Sequence, residues 1–202
     1  MKKKIYLSAI FAIFLFSATF AQIEKNDWLL GGTLGLNTSN SSSNSVPIGN
    51  SSSNANFSPH IAYALGKNSV IGLNLGYSYT DNSGNYKSSS FSLNIFYKKY
   101  LPCREKFGLY FQFNGGTILY KLTQTIDSAG TLIKSSSTSH VYDADIIPGV
   151  YYQASKRVLI NADCGGISYA YYDYGAGSSS SYFSFNFLSN FTFGVDFILG
   201  KK

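Results

Sequence analysis

The chain has 202 residues, of which 45% are hydrophobic and 17% aromatic but only 13% charged, with 16 Lys and Arg against 10 Asp and Glu. Three of the lysines fall within the first four positions, so residues 22–202 carry 13 basic against 10 acidic residues, and with no Arg-rich stripe there is no electrostatic case for nucleic acid. The aromatic content also argues against a disordered chain, despite long Ser and Asn tracts.

The chain opens "MKKKIYLSAIFAIFLFSATFAQ": a basic start, an apolar run too short for a spanning helix, then the small residues Thr19 and Ala21. That order predicts a secretory signal peptide over residues 1–21, cleaved after Ala21, and one domain over 22–202. Export would place Cys103, in a turn, and Cys164, in a strand, in an oxidising compartment. Spacing supplies no Cα geometry, so no disulfide is assigned.

Period-two alternation then recurs along the chain. "DWLLGGTLGLN" (27–37) sets Trp28, Leu30, Leu34 and Leu36 on one face, and "FSPHIAYAL" (57–65) does so with Phe57, Ile61, Tyr63 and Leu65. "SVIGLNLGYSYT" (69–80) alternates Ile71, Leu73, Leu75 and Tyr77 with Gly72, Asn74, Gly76 and Ser78. "FSLNIFYKKY" (91–100) and "FGLYFQFNGGTILYKL" (107–122) continue the pattern, with Gly115-Gly116 read as a bulge where the phase slips. "VYDADIIPGVYYQA" (141–154) and "VLINADCGGISYAYYDY" (158–174) follow. In the final stretch, eight of the nine odd positions from 183 to 199 are apolar, whereas six of the nine even positions from 182 to 198 are polar or Gly. Successive strand side chains point to opposite faces, so this is a long strand with one apolar face. It exceeds the usual 5 or 6 residues of a soluble strand and suits the roughly 9–11 needed to cross a bilayer at a tilt.

The connections alternate too. Ser/Asn-rich segments (39–56, 123–139) read as long loops, whereas "GKN", "LPCREK" and "SKR" are short and basic. The expected fold is therefore all-β: a transmembrane, up-and-down, antiparallel barrel of eight strands after a signal peptide, with short periplasmic turns and both termini on the periplasmic side. The outward Phe face meets lipid, and internal pairing in hydrocarbon requires the sheet to close.

The leader ending at Ala21, "IFYKKYLP" (95–102), "FGLYFQFNGG" (107–116) and "FTFGVDFILGKK" (191–202) resemble the small outer-membrane β-barrel families of Gram-negative bacteria, the outer membrane protein β-barrel domain group. The final strand is similar to the aromatic-ended strand that the barrel-assembly machinery recognises, but it ends in Gly200-Lys201-Lys202. The resemblance implies a location, the cell outer membrane, with its lipid and lipopolysaccharide as surroundings and the assembly machinery as a partner during biogenesis. It implies no activity and no cofactor.

The polar parity nominates a lumen network of His60, Asn74, Asn94, Lys98, Gln112, Asn114, Asp143, Asp145, Asn161, Asp163, Asn186 and Asp196, with Lys98 placed to offset Asp163 or Asp196. An eight-stranded lumen is just wide enough for side chains to fill it, so open diffusion of solutes is not expected; no catalytic, cofactor or metal residues are assigned, since Asp143 and Asp145 have no further His or Cys beside them to complete a metal site. His140, with 135–139, Asp143 and Asp145, makes a Ser/His/Asp grouping resembling that of lipid A deacylase barrels, but no spacing fixes a triad. Tyr169, Tyr171, Tyr172, Tyr174 and Tyr182 read as an interface girdle, with binding of a surface ligand as the rival reading. The expected role is structural or surface-interactive and not enzymatic. A narrow porin-like channel is the first alternative and a lipid A modifying barrel the second.

Overall fold

The computed structural model describes residues 23–43, 46–82, 86–128, 131–175 and 177–200; the predicted leader, residues 1–21, lies outside them. Eight strands follow in chain order: β1 (Trp28–Ser43), β2 (Val46–Gly66), β3 (Ser69–Asn82), β4 (Tyr86–Pro102), β5 (Phe107–Ser128), β6 (Thr131–Ser155), β7 (Val158–Gly175) and β8 (Ser178–Leu199). Each is antiparallel to its neighbours, and β1 pairs with β8, so the sheet closes into an up-and-down barrel.

The faces are inverted relative to a water-soluble barrel. Leu30, Ile61, Leu73, Ile95, Phe113 and Phe193 project outward and are exposed, whereas the even residues of β4 and β8 turn inward and bury Lys98 and Asp196. An apolar belt around a partly polar interior is stable only where the surrounding medium is hydrocarbon. Closure then leaves no edge in lipid wherever the ladder is complete. Trp28 packs edge-on against Tyr63 at the short-turn rim, their centroids 5.1 Å apart. Exposed Tyr79, Tyr142, Tyr171 and Tyr182 lie towards the opposite rim.

The strands are longer than the sequence suggested. The tract 39–56, expected as a loop, is mostly ladder, with Ser39 opposite Ser52 and Asn40 opposite Ser51. The expected loop 123–139 likewise zips, with Thr123 opposite Ser136 and Thr125 opposite Lys134. Backbone pairing in a hairpin needs no apolar side chain, so hydrophobic alternation ends at the membrane rim while the ribbon continues beyond it.

The Gly115-Gly116 bulge expectation is also corrected. β5 pairs without a register break from Phe107↔Tyr152 to Ser128↔Thr131, and Phe111, Phe113 and Leu119 keep one outward phase. The slip lies instead in β7 at Cys164-Gly165-Gly166: the β6 register breaks between Ile146 and Gly149 and the β8 register between Asp163 and Gly165. It changes which face β7 buries, since Leu159 and Asn161 are buried below it whereas Tyr169 and Tyr171 are exposed above it. Gly165 has φ +79°, and a Cβ there would lie 1.9 Å from the Asn186 carbonyl oxygen. Gly165→Ala is therefore expected to cost at least about 1–2 kcal/mol in reversible urea unfolding, since both a left-handed backbone and a fixed carbonyl oppose it. Gly115→Ala is expected to be close to neutral, because the position faces open space. Equal losses at the two sites would overturn this placement of the bulge.

Candidate functional site: the lumen

The lumen is built by strand parity, and the structure brings several of the nominated polar residues into one cluster. Asp196 on β8 is its centre. His60 Nε2 lies 2.7 Å from Asp196 Oδ1, while Asn161 Nδ2 (2.8 Å) and the Tyr100 hydroxyl (3.1 Å) donate to Oδ2. Asp196 is only 1% exposed, so these partners replace the water it has lost. Tyr110 donates its hydroxyl to Asp163 Oδ1. The ammonium of Lys98, 3% exposed, sits 4.7 Å from the Tyr110 ring centroid and attracts the carboxylates of both Asp163 and Asp196. Within the described residues the structure gives Lys98 no direct ion pair; its charge is held by two carboxylates at longer range and by aromatic faces.

Beneath this cluster the barrel is filled by apolar and aromatic side chains. Leu29, Val70, Tyr151, Leu159 and Ile198 are buried there with Ile23, which precedes β1. Ile23 is fixed by backbone contacts: Asn68 N donates to its carbonyl at 3.1 Å, and its own N–H reaches Asn68 Oδ1 at 3.4 Å. The short-turn mouth is thus stoppered by the segment that leads into β1.

Towards the other end the lumen opens into two contiguous cavities that share Asp145, Ile147, Asp163 and Thr192. One, of about 210 Å³, includes Asn74, Asn94, Gln112 and Asn114 in its walls; the other, of about 230 Å³, reaches Asn186 and Ser168. Gln112 Nε2 donates to Asn114 Oδ1 at 2.7 Å. Asp143 shares the inward face with Asp145, and among the described residues its buried Oδ1 has no hydrogen-bond partner, as is also the case for Asn94 Oδ1 and Asn161 Oδ1. No group of three or more His, Cys, Asp or Glu suited to a metal occurs among the described residues.

The Ser/His/Asp grouping is not assembled. His140 is exposed and lies opposite Leu119 and Asp173, on the outward parity of β6, whereas Asp145 lines the lumen. An odd spacing along a strand puts His140 and the two aspartates on opposite faces. Cys103 and Cys164 are both free thiols. Outside the apolar belt, exposed Lys87 pairs with Asp81 at 3.1 Å, and that hydrogen bond and charge raise the ammonium pKa above its ordinary value.

Sequence reasoning missed the inward aromatics Tyr100, Tyr110 and Tyr151, having assigned aromatic rings to lipid and interface. The signal was present: Tyr100 shares the parity of Lys98 on β4, and Tyr110 shares that of Gln112 on β5.

No protein-family model and no curated protein matches the chain. Among solved structures, it is similar to the N-terminal β-barrel domain of OprF from Pseudomonas aeruginosa, at 15% identity over 88% of this chain and 100% of that one, with a TM-score of 0.42. It is similar to Neisserial surface protein A at 12% identity over 85% of this chain and 96% of that one, TM-score 0.42. Ail, the attachment invasion locus protein of Yersinia pestis, matches at 12% identity over 88% and 100%, TM-score 0.41. The chain is a closed eight-stranded antiparallel barrel, and in structure it is similar to small β-barrels of bacterial outer membranes.

Proposed function

We propose that this chain is an exported, integral outer-membrane barrel with a structural or surface-interactive role and no enzymatic activity. Its leader is removed after Ala21, its short turns face the periplasm, and the assembly machinery inserts it among outer-membrane lipid and lipopolysaccharide. The observation that carries this reading is the filled lower lumen. The Asp196 cluster and the aromatic and aliphatic side chains beneath it pack the lower lumen among the described residues, while Ser-rich hairpin ribbons extend past the aromatic rim. A barrel that is solid at one end offers its exterior ribbons and its outer cavities as working surfaces.

Two measurements test it together. The full chain expressed with its leader is expected in the outer-membrane fraction, migrating differently on a denaturing gel before and after boiling, because a closed sheet survives detergent until heat opens it. In planar bilayers, the purified barrel is expected to show no stable unit conductance. Steady conductance that responds to Asp163→Asn would replace this reading with the narrow-channel one, and a soluble periplasmic protein without a heat shift would overturn the membrane placement.

A further inference from the structure

The ring is complete only in its lower half. β1 and β8 pair from Trp28↔Leu199 to Leu34↔Phe193, and among the described residues no rung joins 35–43 to 178–192, although both stretches are strand and β1 remains paired to β2, and β8 to β7 over 178–187 and at Thr192. Continuation of the register would set Gly35 opposite Thr192 and Leu36 opposite Phe191. β8 departs from β7 at this height, where four residues, 188–191, stand against Cys164 alone. The seam still lies within the apolar belt, since Leu36 and Phe191 are outward and exposed. Unpaired backbone groups at that depth need another partner.

Two cavities meet at this last rung. Outside, an apolar groove of about 530 Å³ crosses β1 and β8 between Leu30, Leu34, Phe57, Val195 and Phe197, and its floor at Gly32 has no side chain. Inside lies the 210 Å³ lumen cavity, and Thr33 lines both spaces. Near the seam the lumen wall is neutral and hydrogen-bonding, formed by Thr33, Asn56, Ser58, Ser92, Asn94 and Thr192. His60, Lys98, Asp145 and Asp163 line the same cavity deeper in: His60 is engaged with Asp196, Lys98 attracts Asp163, and Asp145 lies beside Asp143 and Asn114, while Asn94 Oδ1 lacks a donor among the described residues.

We propose that the β1–β8 seam is a lateral binding site for a single-chain amphiphile with a neutral, hydroxyl-rich head: the alkyl tail fills the groove over Gly32, and the head enters the lumen above Thr33. The groove faces hydrocarbon, so an alkyl chain is its natural occupant, and the wall behind the gap offers the amide and hydroxyl groups that a polyol or sugar head requires. Head hydroxyls also supply partners for the backbone groups that the missing rungs leave open.

The test uses the full-length barrel in deuterated-lipid nanodiscs with dodecyl maltoside as probe. Intermolecular Overhauser contacts are expected between sugar protons and the side-chain amide protons of Asn56, Asn94 and Gln112. Maltose without a tail is expected to give none. Gly32→Leu projects into the groove from a Cβ that makes only ordinary contacts, Pro59 Cα and the Ser58 carbonyl oxygen each at 3.4 Å, and its expected result is loss of the lumen contacts with the heat shift retained. A second variant, Leu36→Cys/Phe191→Cys in a Cys103→Ala/Cys164→Ala background, is expected to lose them when oxidised and regain them when reduced. Sugar contacts confined to exterior residues such as Asn82, lumen contacts from maltose alone, or contacts that persist unchanged in Gly32→Leu would each overturn the proposal.

Discussion

Replacement of Asp196 by alanine is expected to remove about 3–5 kcal/mol from the unfolding free energy, because it leaves buried His60, Tyr100 and Asn161 facing an empty acceptor position and removes a carboxylate that offsets the charge of buried Lys98. A single carboxylate receives a ring nitrogen, an amide and a phenol, and it also helps hold the Lys98 charge. These donors are buried, so the loss of their common acceptor falls on several groups at once. Asp196→Asn preserves shape and one acceptor oxygen but not the charge, and its expected loss is about half as large. Reversible urea unfolding in lipid vesicles, followed by the gel shift and by tryptophan emission from Trp28, measures both. A loss under about 1 kcal/mol for Asp196→Ala would mean that water already solvates the cluster.

Leu73→Arg is expected to cost about 2–4 kcal/mol in the same assay, the range for a cation on the lipid face near the bilayer midplane. Leu73 is half-exposed in the middle of β3, with Ile61 and Ile95 beside it on the neighbouring strands. In water an exposed Leu→Arg substitution is nearly neutral, so the size of the loss reports what surrounds the barrel. The exposed position Ser53, higher on β2, supplies the internal control: Ser53→Arg is expected to change stability by less than about 0.5 kcal/mol. Equal effects at the two positions would contradict an apolar belt bounded below the Ser-rich ribbons.

The two substitutions concern opposite parities, and parity is where the sequence was most informative. Alternating Phe and Leu positions assigned the outward face of β8 from Phe183 to Leu199, and the intervening positions included Asp196 and Asn186. The same rule, applied without a preference for polar residues, would have placed Tyr100 and Tyr110 indoors. Side-chain chemistry misled there because an aromatic ring suits a tight lumen as well as a bilayer interface. The polar tracts misled in another way. Hydrophobic alternation reports burial, and in 39–56 there is none, yet the ribbon pairs through its backbone. Gly-Gly likewise had no local meaning: one pair continues β5 unbroken and the other carries the slip in β7.

By itself, then, the sequence determined the class of fold, the number of strands and the lipid-facing residues of β1 to β5 and β8, and it nominated polar residues for the lumen, because each follows from the period of two along a single strand. Only the tertiary structure decided that His60 on β2 and Asp196 on β8, far apart in the chain, meet across Gly31 of β1, that the lower lumen is stoppered by Ile23 and its neighbours, and that the ladder stops at Leu34↔Phe193. Those features depend on register between strands and on the position of one bulge, and a shift of a single residue there exchanges the faces of every residue beyond it.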